Sequence, residues 1–140
     1  MLGGRRSWAS CAIVIFLSLF TQLYGQTREF NFYIERKDTL TFLQITSTQT
    51  FPCLGYQIRT FELWDNDTLI VDIRGFISPT PCYQGIEFAI TKRQILGRLT
   101  KRFAVKFRSE GKIDMWIIDV KGDSFNAAPV LQLFTSWFRG

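Results

Sequence analysis

The chain contains no histidine among its 140 residues. This removes Ser-His-Asp and Cys-His catalysis and any histidine-ligated zinc or haem. The remaining route to hydrolysis is a pair of carboxylates acting as acid and base. Glu62 and Asp72 are the candidates, expected across a hairpin on its outer face. Carboxylates so placed are more often solvated surface charge, so the chain is read as no enzyme. A carboxylate-dependent, glycan-active enzyme is the alternative. Asp65, Asn66 and Asp67 could gather oxygens around calcium. A hairpin turn accounts for the same three residues better, and no cofactor or metal is expected. Asn66-Asp67-Thr68 is also a glycosylation sequon, relevant only in a eukaryotic host.

Charge is distributed unevenly. Residues 92–112 hold eight basic side chains, Lys92, Arg93, Arg98, Lys101, Arg102, Lys106, Arg108 and Lys112, against the single acid Glu110. Such an asymmetry can hold an anionic partner. Arg98, Lys101, Arg102, Lys106 and Arg108 are the residues expected to form that patch. The competing reading is a solvated face whose charges keep a strand from pairing with a neighbour. An unidentified protein, an acidic glycan or a lipid headgroup fits the patch. Nucleic acid fits least, because no DNA- or RNA-binding signature is present.

The elements that would position these residues follow a targeting segment. Arg5 and Arg6 precede an apolar run over residues 11–20, and Gly25 follows it. That is the pattern of a signal peptide over residues 1–25, too short for a comfortable membrane span, with an uncleaved anchor as the alternative because Leu23 is not ideal ahead of the cut. Residues 26–140 then form one secreted domain, and Cys53 and Cys82 are its only cysteines. An even pair in an exported chain predicts a disulfide and a secreted, periplasmic or cell-surface location. Removing Arg5 and Arg6 takes the formal charge from +5 to +3.

Between the cysteines the period-two pattern predicts a hairpin. Leu69, Val71 and Ile73 face one way and Thr68, Asp72 and Arg74 the other, with Ile70 the one apolar residue outside. In the first arm the phase slips near Arg59 and Thr60, which predicts a β-bulge. Residues 78–81, Ser-Pro-Thr-Pro, predict a stiff loop ahead of Cys82. Strands are expected at residues 30–35, 39–45 and 86–90. Phe103, Val105 and Phe107 alternate with Ala104, Lys106 and Arg108 in the cleanest strand of the chain. A short loop at residues 109–111 joins it to residues 113–120, which are apolar on both faces and predict a strand covered on both sides. Residues 91–101 read as a loop or single helical turn. Apolar residues in the tail, 130–138, have helical spacing but are also compatible with a last strand.

Seven or eight short strands with frequent turns predict an all-β, antiparallel, immunoglobulin-like sandwich with a possible short C-terminal helix. Phe51-Pro52-Cys53 with Tyr56 and Ile58, then Gly75-Phe76-Ile77 with Pro79 and Cys82, resembles small exported two-cysteine β-sandwich proteins of bacteria. The likeness extends to residues 103–107 and 111–114, about half the chain. It implies an exported sandwich and carries no site residues. The function expected is therefore a non-enzymatic exported binding domain, with its basic face as the contact for an anionic partner. A structural subunit of a surface assembly, giving or taking a strand, is the further alternative.

Overall fold

The computed structural model describes residues 28–95 and 101–138. The expected signal peptide, residues 96–100 of the expected loop or helical turn, and with them Arg98, lie outside these. Nine strands make up the fold: β1 (Phe30–Lys37), β2 (Leu40–Leu54), β3 (Gln57–Asp65), β4 (Thr68–Ile77), β5 (Tyr83–Gln94), β6 (Arg102–Ser109), β7 (Lys112–Lys121), β8 (Ser124–Leu131) and β9 (Thr135–Trp137). They form a four-stranded sheet in the order β5-β2-β1-β9 and a five-stranded sheet in the order β3-β4-β6-β7-β8.

Short apolar alternation explains most of the pattern, because every second side chain of a strand points to the same face. Phe30, Phe32, Ile34, Leu43 and Ile45 line the inner face of the smaller sheet. Leu69, Val71, Ile73, Phe103, Val105, Phe107, Trp116 and Ile118 line that of the larger. Phe32 is the point where the layers meet: its ring lies 4.6 Å from Phe107, 5.1 Å from Trp116 and 5.3 Å from Trp137 between centroids. Two sheets sharing one core make a β-sandwich. The bulge appears where the phase slip places it, with a register shift between Ile58 and Thr60. Glu110 and Gly111 form a two-residue turn between β6 and β7, both with positive φ, 49° and 76°.

Several expectations change. The sheets are mixed: β4 pairs parallel with β6, and β1 parallel with β9. Residues 91–94 continue β5. The tail holds no helix among the described residues; β8 runs to Leu131 and β9 follows a bend. Its helical spacing arises because Phe134 reaches the core from the bend and Trp137 from β9. β8 itself gave little signal, since Ala127, Ala128 and Pro129 are poor strand formers. In β5 it is Ala89 and Thr91 that face inward, while Ile86, Phe88 and Ile90 are exposed. Finally, β7 is covered on one side only. Trp116 and Ile118 are buried, but Ile113, Met115 and Ile117 lie on an outer face that no other described element covers.

Candidate functional site

Cys53 on β2 and Cys82, just ahead of β5, are bonded, with Cα atoms 5.3 Å apart. The bridge closes the loop holding the β3–β4 hairpin. It links neighbouring strands of one sheet rather than crossing the sandwich.

The proposed carboxylate pair does not assemble. Glu62 stands opposite Val71 and Asp72 opposite Phe61, so the two carboxylates lie on opposite faces of the hairpin. Each is also occupied. Glu62 accepts from the Thr60 hydroxyl at 2.7 Å and pairs with Arg93 at 3.4 Å. Asp72 takes a two-pronged contact from Arg108, 2.5 Å and 3.0 Å, and a longer one from Arg74 at 3.5 Å. The Arg108 hydrogen bond is the main reason the Asp72 carboxyl sits below its ordinary pKa; partial burial opposes it, and the charges of Arg108 and Arg74 add to it. The same bond raises the Arg108 guanidinium. The hairpin turn is Asn66 and Asp67, with Asn66 at φ 52°.

Of the five basic residues, Arg102, Lys106 and Arg108 share the outer face of β6, opposite buried Phe103, Val105 and Phe107. Lys101 is exposed just before the strand. Two of these cations are held: Arg108 by Asp72, and Arg102 by Asp119 at 2.8 Å. Lys106 has no ion pair or side-chain hydrogen bond among the described residues. Its cross-strand neighbours are apolar. Leu63, Ile70, Lys106, Met115 and Leu131 form one row across all five strands. Ala104, Ile117 and Ala128 continue an adjacent row. Phe61, Leu63 and Leu131 are 54 %, 53 % and 45 % exposed, so the face is open. In place of the expected basic patch stands an apolar sheet face with Lys106 unpaired at its middle, and with Lys101 and the ion pairs of Arg102 and Arg108 towards its margins. The apolar part was legible as the two-faced pattern of residues 113–120; the pairing of the cations depends on long-range register and was not.

A second polar site, absent from the sequence reading, lies on the inner face. Asp114 is completely buried on β7. Its Oδ1 accepts from the Leu133 N–H at 2.7 Å. Its Oδ2 accepts from the Phe134 and Thr135 N–H groups at 3.0 Å and 2.7 Å and from the Thr135 hydroxyl at 2.6 Å. The Trp116 indole N–H donates in turn to the Thr135 hydroxyl at 2.9 Å. Four donors converge on one carboxylate, one on Oδ1 and three on Oδ2, and all come from residues 133–135, so this group holds the tail in place. Among the described residues no three histidine, cysteine or carboxylate side chains cluster as metal ligands, and no helix is long and apolar enough to cross a membrane.

No family model, curated protein or solved structure matches the chain.

Proposed function

We propose that this protein is a non-enzymatic, exported binding domain that docks an anionic partner on the outer face of its five-stranded sheet. The observation that carries the reading is the row Leu63–Ile70–Lys106–Met115–Leu131, an unpaired cation set among apolar side chains that are half-buried beside it and exposed at both ends. Soluble domains rarely leave a contiguous apolar face open, and those that do generally use it for contact. The partner must therefore bring apolar surface behind its negative charge, as an anionic lipid interface does. An acidic glycan offers charge without that surface. The disulfide is in keeping with export. In architecture we propose an immunoglobulin-like variant, differing in its parallel pairings and in a disulfide that stays within one sheet.

The alternatives find less support. The two candidate carboxylates are separated by the thickness of the hairpin and are held by arginines. Strand exchange has few edges to use: β8 carries Pro129, β9 is three residues long, and the edges of β3 and β5 meet through the Ile90 N–H on the Tyr56 carbonyl, Thr91 on Ile58 and Arg93 on Glu62, which leaves only the start of β5 open. The test is partition of the purified domain between buffer and vesicles, anionic against zwitterionic, with heparin resin as a charge-only comparison. Binding that requires anionic vesicles and exceeds retention on heparin supports the reading. Equal behaviour on both vesicle types contradicts it.

A further inference from the structure

The outer face of the four-stranded sheet carries a different chemistry. A cavity of about 760 Å³ opens on it and continues towards the β7–β8 turn. Asn31 and Tyr33 of β1 and Gln44 and Thr46 of β2 form its floor, with Phe88 of β5 and Phe138 beyond β9 at its sides. Asn31 pairs in register with Thr46, and Tyr33 with Gln44, so four side chains stand as two adjacent cross-strand pairs. The Tyr33 hydroxyl donates to Gln44 Oε1 at 2.8 Å. This orients the amide and leaves its Nε2 as a donor and the tyrosine oxygen as an acceptor. The Asn31 amide and the Thr46 hydroxyl have no side-chain partner among the described residues.

The charges around the cavity are already matched. Glu35 is bound by Lys92, an interaction that raises the lysine pKa. Arg36 donates to the Gly122 carbonyl at 2.9 Å and pairs with Asp123 at 3.5 Å. A ligand therefore meets neutral donors and acceptors together with exposed aromatic carbon.

We infer that this groove is a binding site for an uncharged carbohydrate. A sugar ring has an edge of hydroxyls, each both donor and acceptor, and a face of C–H groups. Amides meet the first requirement, because one Asn or Gln side chain can donate to one hydroxyl while accepting from the next. Aromatic faces meet the second through their negative quadrupole. The volume lies within the range of about 300–1,000 Å³ usual for small-molecule sites. Other ligand classes fit less well. A phosphate or carboxylate would have to compete with Glu35 and Asp123, which already pair with the two cations here, Lys92 and Arg36. An extended peptide needs a free strand edge; β2 is paired on both sides, and β1 is open only from Tyr33 to Lys37, beyond the Phe30–Phe32 stretch that β9 covers. The inference is independent of the anionic docking face, which lies on the other sheet.

The experiment is calorimetric titration of the domain with cellohexaose, mannohexaose and chitohexaose, and with a heparin hexasaccharide as the charged comparison. At least one neutral sugar should bind. Asn31→Ala combined with Gln44→Ala should weaken that binding by about tenfold or more, the loss of one or two hydrogen bonds. Phe88→Ser, at a half-exposed position, should weaken it comparably with an unchanged melting temperature. Lys106→Glu should leave it unaltered. The assignment is overturned by no binding of any neutral hexasaccharide at roughly 5 mM, by binding that survives both groove variants, or by tighter binding of the heparin fragment.

Discussion

Asp114 and Lys106 stand on adjacent strands, one register step apart, on opposite faces of the same sheet. Asp114 is opposite Phe107, and Lys106 is opposite Met115. The carboxylate is wholly buried and receives four hydrogen bonds from the tail. The ammonium lies on the open side with no partner among the described residues. Burying a charge is tolerable only when hydrogen bonds compensate it, so Asp114 belongs to the architecture. Leaving a charge unpaired costs little where water reaches it, and its apolar neighbours then serve no internal purpose. The contrast separates a charge that folds the chain from one free to meet something else.

The largest effect expected from this contrast is at Asp114. Asp114→Asn places an NH₂ against groups that are themselves donors, and should cost about 3–5 kcal/mol in urea unfolding, a lost charge-assisted hydrogen bond together with buried donors left facing one another. A loss below about 1 kcal/mol would show that the tail is held by apolar packing alone. Next comes the Cys53–Cys82 bridge. Cys53→Ala should lower stability by about 2–5 kcal/mol, because the cross-link restrains a 29-residue separation in the unfolded chain. Thiol titration of the native protein should find neither cysteine reactive.

A smaller effect separates the margin of the docking face from its centre. Asp72 has its folded pKa depressed by Arg108. A depressed carboxylate stabilises above its unfolded pKa and loses that contribution as pH falls through the lower folded value. Asp72→Asn should therefore be less stable than wild type at neutral pH, by under about 1 kcal/mol for a surface pair. The difference should close below about pH 4. A difference that persists unchanged into acid would mean the Arg108 contact contributes nothing through charge.

Local alternation made half of this comparison readable. Phe103, Val105 and Phe107 are buried as their period requires, and Arg108 is exposed. The Ile58–Thr60 irregularity follows from the phase slip. Asp114 was not legible, because its four donors come from residues 133–135, and only the tertiary fold brings them to it. For the same reason the tail reads as helical: its spacing reports a bend that the Asp114 carboxylate pins and the strand β9 that follows it. The outward set of β5, Ile86, Phe88 and Ile90, alternates as cleanly as a core set, and period two cannot say which face is in. The inner side there is small because Ala89 and Ser47 meet closely, the Ala89 N–H donating to the Ser47 hydroxyl at 2.9 Å. The basic run was legible as charge. Which of its members remain unpaired depended on parallel pairing of β4 with β6, which sets Asp72 beside Arg108 and Ile70 beside Lys106.

The most direct measurement is the vesicle-bound fraction of Lys106→Glu beside that of Lys121→Glu, an identical charge reversal at the exposed end of β7. A lysine near an anionic lipid surface contributes about 1 kcal/mol, so reversal at a contact position costs about 2 kcal/mol, more than tenfold in partition. Lys106→Glu should lose that much at wild-type melting temperature, and Lys121→Glu should stay within about twofold of wild type. Equal losses in the two variants, or none in either, would contradict a docking face centred on Lys106.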